Sequence, residues 1–337
     1  MTDTETPNPH ARQPLRVFDA WAIRNAITDR LALVSAERAF KALAREKVTV
    51  PPPLGAVFDD VNGEVHVKGA YLHGSPVFVF KVATGFYNNV QFGVPTGSGM
   101  VLVFDADTGF PRCILADNGY LTDLRTAAAG ALAVEHLTPR KPLRVAMVGS
   151  GVQARLQLRL ITGVRTVAEV RVFSRSRGSR IRYAERMHEE LSLRVQPVDT
   201  VAEAVESADL VITATPTRSP LIMPGYLSAG TTVVAVGSDG PMKQEIAAQA
   251  LADADKVVTD LTSQCLALGE LHHAVEAGLM SADDVHCELG SVVDGKTPGR
   301  ENEEEIIICD LTGVGAQDAA IAEVAHRALT SPKPADT

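Results

Sequence analysis

Positive charge is in short supply in this chain: 32 Lys and Arg stand against 41 Asp and Glu, a formal net charge of −9 at pH 7. Such a balance argues against a nucleic-acid partner, although a local basic pocket for a phosphate or carboxylate remains compatible with it. Long apolar runs are missing too. No window approaches the ~18 uninterrupted apolar residues of a membrane span, so no membrane partner is expected. The first 14 residues, MTDTETPNPHARQP, lack the apolar stretch of a signal peptide and read as a disordered leader, from which a cytoplasmic location follows by default. Cysteine is sparse: Cys113, Cys265, Cys287 and Cys309 form no CxxC pair and show no zinc-ligand spacing, and they read as buried free thiols. Histidine gives no metal pattern either. His272 and His273, on an expected helix, and His286, before a cysteine, fit core or solvated histidines, and no metal is expected.

What is present is chain enough, 337 residues, for two domains or one with a large lobe. Residues 15–46 carry apolar side chains at helical spacing, including Phe18, Trp21, Ile27, Leu31, Val34, Phe40 and Leu43, which predicts two amphipathic helices before Pro51-Pro52-Pro53. Short β-branched or aromatic segments follow at Glu64–Val67, Val77–Lys81 and Met100–Asp105, parted by turns such as Asp107-Thr-Gly109, as in an antiparallel sheet. An Ala- and Leu-rich helix from about Thr122 to Leu137 then reaches the boundary Thr138-Pro139-Arg140-Lys141-Pro142. Beyond it the grammar changes. Val145–Val148, Glu169–Phe173, Leu210–Ala214, Thr232–Val236 and Lys256–Thr259 are continuous apolar runs alternating with helices, the signature of a parallel sheet covered on both faces. Glu305–Asp310, then Thr312-Gly313 and an Ala-rich helix to Leu329, resemble the material of the first half and are expected to pack back on it. The predicted fold is α/β: a Rossmann-type doubly wound parallel sheet over 138–310, and a discontinuous α+β lobe for substrate binding and dimerisation from 15–137 and 311–337.

Leu143-Arg-Val-Ala-Met-Val-Gly149-Ser150-Gly151-Val152-Gln153-Ala154 is an apolar strand, a G-x-G-x-x-A turn and the start of a helix. In that order the first glycine allows the tight turn, the second admits a pyrophosphate to the backbone, and the small third residue lets helix and strand pack closely. The next strand ends Ser174-Arg175-Ser176-Arg177, where an NAD-specific site places an acid on the ribose 2′-hydroxyl. Hydroxyls and arginines suit a 2′-phosphate instead, so NADP(H) is favoured and NAD(H) stays open, as does the reading of Arg175 and Arg177 as a solvated helix start. Thr213-Ala214-Thr215-Pro216 closes another strand at its carboxyl end, a second expected contact with the dinucleotide.

From about Val48 to Leu329 the sequence resembles the ornithine cyclodeaminase/μ-crystallin family. The resemblance is carried by Phe80-Lys81-Val82, Gly93-Val-Pro-Thr96, Thr108-Gly-Phe-Pro111, Leu121-Thr-Asp-Leu-Arg125-Thr-Ala-Ala-Ala, the glycine turn, Val236-Gly237-Ser238-Asp239-Gly-Pro-Met-Lys243-Gln-Glu245 and Asp310-Leu-Thr312-Gly313. Several fragments look closer to its alanine-dehydrogenase and ectoine-utilisation branches. The resemblance implies a homodimer and catalytic roles for Lys81 and Asp239. It further implies a carboxylate contact at Arg125, a substrate-lobe contact at Thr96, and cofactor contacts at Val236–Ser238 and Thr312-Gly313. The residue types suit these roles: arginine grips a carboxylate bidentately, lysine exchanges a proton at an imine, and an aspartate stabilises an ammonium or positions water.

Two positions depart from the family pattern. Lys47 stands where an arginine is common, and Lys68, thirteen positions before Lys81, stands where ornithine-specific members carry an acid. Both are candidate substrate contacts, and Lys68 in the pocket would repel a distal ammonium. Three functions are open at this point: hydride transfer between NAD(P) and the Cα of a small amino acid or its imine, cyclodeamination with a catalytic NAD, and non-catalytic NADP(H) binding of the crystallin kind.

Overall fold

The computed structural model describes residues 14–331, so the expected leader lies, apart from Pro14, outside the described residues. Two sheets organise the fold. In the first are β1 (Arg16–Asp19), β2 (Val48–Thr49), β3 (Leu54–Phe58), β4 (Gly63–Leu72), β5 (Val77–Phe86), β6 (Gly97–Asp105) and β7 (Pro111–Ala116). Their order is β1-β7-β6-β5-β4-β2, with β3 also on β4; β3 to β7 form an antiparallel meander, and β1 joins β7 in parallel. The expectation of two helices over 15–46 therefore needs correcting at its start. Phe18 lies on β1, paired with Leu115 across nearly a hundred residues of sequence, a partner that local periodicity does not report. Helices α1 (Ala20–Ala26) and α2 (Asp29–Ala44) follow, capped by side chains that accept backbone N–H bonds: Asp19 from Ala22 at 2.8 Å and Thr28 from Leu31 at 3.3 Å.

Helix α3 (Tyr120–Leu137) is the strut between the two sheets. Ala127, Ala128, Ala129, Ala131 and Ala133 are all buried, and such small side chains let α2, α4 and α11 approach it closely. A Cβ on Gly130 would stand 2.0 Å from Oε1 of Gln157 on α4 (Val152–Val164).

The second sheet is wholly parallel, in the order β10-β9-β8-β11-β12-β15-β13-β14. Its strands are β8 (Leu143–Val148), β9 (Val167–Phe173), β10 (Val195–Pro197), β11 (Leu210–Thr213), β12 (Thr232–Ala235), β13 (Lys256–Thr259), β14 (Cys287–Glu288) and β15 (Ile307–Asp310). The remaining helices are α5 (Arg177–Leu191), α6 (Val201–Val205), α7 (Ala248–Ala252), α8 (Thr262–Leu268), α9 (Glu270–Glu276), α10 (Leu289–Val293) and α11 (Gly315–Thr330). The α/β class and doubly wound parallel sheet are as the alternation of apolar runs predicts. One segment behaves differently from expectation: β15 does not return to the first half but slots between β12 and β13, and its fully buried residues match the apolar runs it joins. Helix α10 packs on α2, and the helix after β15, α11, crosses back to pack on β4, β5 and α2. Its first residue, Gly315, meets Gly69 of β4 so closely that a Cβ would lie 2.2 Å from the Gly69 carbonyl oxygen. No helix among the described residues is long and apolar enough to cross a membrane.

Candidate active site

Strand order reverses beside β8, whose neighbours β9 and β11 continue in opposite directions, and open α/β sheets bind ligands in the crevice outside the strand ends at such a point. Here the crevice is a cleft of about 1130 Å³ reached by Gly151, Val152, Gln153, Ala214, Thr215, Val236 and Gly237 from the parallel-sheet side, and by Thr96 and Asp239. Gly149 takes φ +122°, closed to side-chain-bearing residues, and a Cβ there would stand 2.5 Å from the Ala214 carbonyl oxygen. Gly151 differs: no atom lies within 4 Å of where its Cβ would be, so the space over the turn is open. The α4 N-terminus carries no side-chain cap. Open space, free amides and the helix dipole together fit a pyrophosphate.

Several residues expected to meet a dinucleotide also bond within the protein. Thr213 and Thr215 donate their hydroxyls to the buried Glu245, at 2.8 and 2.7 Å, and the Thr215 and Gly237 amides donate to it as well. Glu245 thus ties the ends of β11 and β12 together, and burial pushes its carboxyl up to about 7 against the pull of those donors. Ser238, buried, donates to the Lys243 carbonyl. Gln153 reaches the cleft, but its amide nitrogen donates to Asp123 on α3. Ala154 is buried under the turn, Ser150 half-exposed beside it. Thr312 and Gly313 lie at the junction of the two sheets. Both are bonded to Asp260 behind the cleft, and their carbonyls face the other lobe, because β15 delivers them into the junction with α11. At the end of β9, Ser176 caps α5 by accepting from the Ser179 amide, while Arg175 is exposed with no side-chain partner among the described residues. Arg180, missed in the sequence, braces that turn by donating to the Ser174 carbonyl at 3.0 Å.

Beneath the cleft the first sheet presents its cations. Lys68 on β4 and Lys81 on β5 are paired in register, side by side on the face that α11 covers. Lys81 Nζ lies 3.0 Å from Asp318 Oδ2, and Arg125 Nε from α3 lies 2.9 Å from Asp318 Oδ1; all three side chains are almost wholly buried. Arg125 also donates to Gln317 at 3.1 Å. Lys68 donates to the carbonyls of Thr312 and Gly313 at 3.0 and 2.9 Å. Three cations thus face one carboxylate. Burial first, and the Arg125 charge second, bring Lys81 down to about 7, and the same two causes lower Lys68. Asp318 is held low despite burial, by Arg125 and Lys81. It and Gln317 escaped the sequence reading. The available signal was an Asp among Gly, Ala and Ile in a helix whose first eleven residues are all buried, where a charge needs a partner.

Asp239, on the loop after β12, opens on the cleft with its side chain 45% exposed. Enclosure by the cleft raises its carboxyl, but Lys243, Lys68 and His66 outweigh that and keep it below the usual range. Lys47 does not reach this place. It is exposed beside a separate depression with Leu72 and His73, since the turn ending α2 carries it along the far end of β4. His272, His273 and Glu276 gather on α9 with possible ligand atoms within 4.8 Å of one another; His272 Nδ1 and His273 Nε2 are engaged by the Leu266 and Lys243 carbonyls.

Comparison with known proteins gives a consistent picture. The model of the ornithine cyclodeaminase/mu-crystallin family matches residues 20–332. An uncharacterized cyclodeaminase of Sinorhizobium fredii is 43% identical over 88% of this chain and 90% of its own. The alanine dehydrogenase of Archaeoglobus fulgidus is 34% identical over 88% and 89%. Among solved structures, the Δ1-pyrroline-2-carboxylate reductase of Thermococcus litoralis in complex with NADH and L-proline superposes with a TM-score of 0.89 at 27% identity, covering 93% of this chain and 97% of that one.

Proposed function

From the premise that this chain belongs to the ornithine cyclodeaminase/mu-crystallin family, we propose that it is an NAD(P)-dependent oxidoreductase interconverting a small L-amino acid and its α-imino or 2-oxo acid by hydride transfer at Cα. The observation that carries the reading is the buried set of Lys68, Lys81 and Arg125 around the carboxylate of Asp318, below a cleft with a pyrophosphate turn. Its surplus of positive charge suits a substrate carboxylate. When bound, a nicotinamide supplies or accepts the hydride. Arg125 and Lys68 hold the carboxylate; Lys81, brought near neutrality, exchanges the proton of the imine or amine nitrogen. Asp239, kept ionised, steadies the substrate ammonium from the cleft side, and Thr96 closes the pocket rim.

Further parts of the reading have their own support. NADP(H) is favoured over NAD(H) because β9 is followed by Ser174 and Arg175, the latter with no side-chain partner among the described residues, and by no acid. The substrate and dimerisation lobe comprises 15–137 with 311–337, of which 332–337 lie outside the described residues, and the dinucleotide domain 138–310. Homodimerisation is supported by the outer face of the first sheet, where Leu54, Phe58, Phe80 and Met100 are exposed beside the stacked Phe78 and Phe104. A cytoplasmic enzyme of amino-acid metabolism completes the proposal.

The test is a screen of alanine, aspartate and ornithine, and of 2-oxo acids with ammonia or methylamine, followed by the absorbance of reduced nicotinamide in wild type and Lys68→Glu. A buried cation facing a second ammonium costs about several kcal/mol in a desolvated site, so neutral or acidic substrates should outrun ornithine and the variant should narrow the gap. Efficient ornithine turnover by the wild type without net cofactor consumption would establish cyclodeamination instead.

A further inference from the structure

Across the mouth of the pocket Asp239 continues into a chain of groups, Lys243, Glu64 and Tyr87, to which the hydride-transfer reading gives no role. Lys243 Nζ lies 2.7 Å from Asp239 Oδ1 and 3.0 Å from Glu64 Oε1, and the Tyr87 hydroxyl donates to the same Glu64 oxygen at 2.6 Å. Asp239 and Lys243 belong to the loop after β12, Glu64 to β4, Tyr87 to the turn after β5, so the chain joins the two sheets. The Lys243 and Glu64 side chains are only 13% and 17% exposed. The Lys243 backbone is pinned as well: its amide donates to the Gly240 carbonyl at 3.0 Å, and its own carbonyl accepts from Ser238 Oγ at 2.6 Å and His273 Nε2 at 2.8 Å. Exposed ion pairs contribute little, whereas a shielded bridge between a fixed loop and a strand restricts geometry.

We propose that Lys243 is a positioning residue: bridging Asp239 and Glu64, it fixes the Asp239 carboxylate over the substrate pocket and clasps the two lobes across the pocket mouth. The inference rests on the reading above, in which Asp239 meets the reacting nitrogen. The charged and titratable groups facing Asp239 are Lys243 on its own loop and Lys68 and His66 on β4; those facing Lys243 are Asp239, Glu64 and Tyr87. Lys243 is thereby held charged against its burial, and burial pushes the Tyr87 hydroxyl up to about 12 against the pull of Lys243. Asp239 therefore borrows its cation from a residue whose second partner belongs to the other lobe, and the two acids compete for one ammonium.

The competition gives a signature that a scaffolding residue would lack. Removing the cation should raise the pH at which Asp239 takes a proton, and removing the competitor should lower it. The acidic limb of kcat/KM is measured for wild type, Lys243→Gln, Lys243→Arg and Glu64→Gln. It should move up by about one pH unit in Lys243→Gln, return in Lys243→Arg and move down in Glu64→Gln. An unmoved limb in Lys243→Gln, or no return in Lys243→Arg, overturns the proposal. Independently of substrate, Tm is measured for the Lys243→Gln/Glu64→Gln and Lys243→Gln/Asp239→Asn cycles. Losses in the double variants smaller than the sum of the singles support the bridge; additive losses overturn it. A wild type that turns over no amino or imino acid, yet shows this coupling, fails the hydride-transfer reading while the clasp stands.

Discussion

Asparagine at position 318 would remove the carboxylate that Lys81 and Arg125 share and that also faces Lys68. At 3.0 Å and an effective dielectric of about 20, the Lys81–Asp318 attraction is roughly 5.5 kcal/mol, or roughly four pH units at 1.36 kcal/mol each, a ceiling that relaxation and entering water reduce. Its sign is fixed: without the carboxylate the ammonium is harder to keep, so Lys81 titrates below its present value of about 7. Imine reduction, which needs the proton on Lys81, should lose its alkaline range by at least about one pH unit, and amino-acid oxidation should extend to lower pH by the same amount. Stability should suffer too. Stranding a buried charge costs about 3–5 kcal/mol, partly relieved when Lys81 gives up its proton. Taking about 2.1 cal/mol/K of unfolding entropy per residue over 337 residues, each kcal/mol is roughly 1.4 °C, so Tm should drop by up to roughly 7 °C and recover in part with a bound carboxylate. The assay is the pH dependence of kcat/KM in both directions for wild type and Asp318→Asn, with Tm by calorimetry. Unmoved limbs together with a Tm within a degree of wild type would refute the argument.

Gly151→Leu should fold, because its side chain enters open space, yet weaken NADPH binding by about 100-fold, roughly 3 kcal/mol; calorimetric titration checks it, and unchanged affinity would place the dinucleotide elsewhere. Arg175→Ala should weaken NADPH by about tenfold, more than it weakens NADH; equal losses would remove Arg175 from the 2′-phosphate. Burial raises Asp310 from its ordinary 3.8, and Glu245 from its ordinary 4.5, to about 7 each. Between about pH 4 and 7 the native form therefore binds more protons than the unfolded chain, and the stability these groups confer is complete below that window and lost as pH rises through it. Tm should accordingly decline from pH 5 to 8, with a smaller decline in Asp310→Asn; a parallel decline in both proteins would mean that Asp310 titrates normally.

The dinucleotide turn was legible because its logic is local: strand, glycines and helix adjoin in sequence, and Gly149 and Gly151 serve backbone shape and open space. The parallel strands were legible for a related reason, since burial on both faces leaves continuous apolar runs such as Val145–Val148. What eluded sequence reading depends on distant partners. β1 is a strand only because β7 lies beside it, and β15 joins the parallel sheet because β12 and β13 leave it a gap. That Thr213, Thr215 and Thr312 donate their hydroxyls to Glu245 and Asp260 was likewise out of reach, because those acids lie far away in sequence. Lys68 and Lys81 share a face by strand register, whereas the acid between Lys81 and Arg125 arrives from α11, more than two hundred residues after Lys81.

That late arrival of α11 bears on how the chain is made. When a ribosome has released residues up to the end of α3, every strand of the first sheet exists, yet the helix that covers its inner face is still some two hundred residues from synthesis. Val79, Ala70 and Val103 then lack their cover, and Lys81 and Arg125 their counter-charge. The parallel sheet must be threaded through β15 before α11 can dock, so the nascent first half waits, exposed, on the completion of the second. Cells making this protein should therefore find its N-terminal half a customer for chaperones for most of its translation, and a premature stop before residue 315 should yield a chain that is cleared rather than a free-standing lobe.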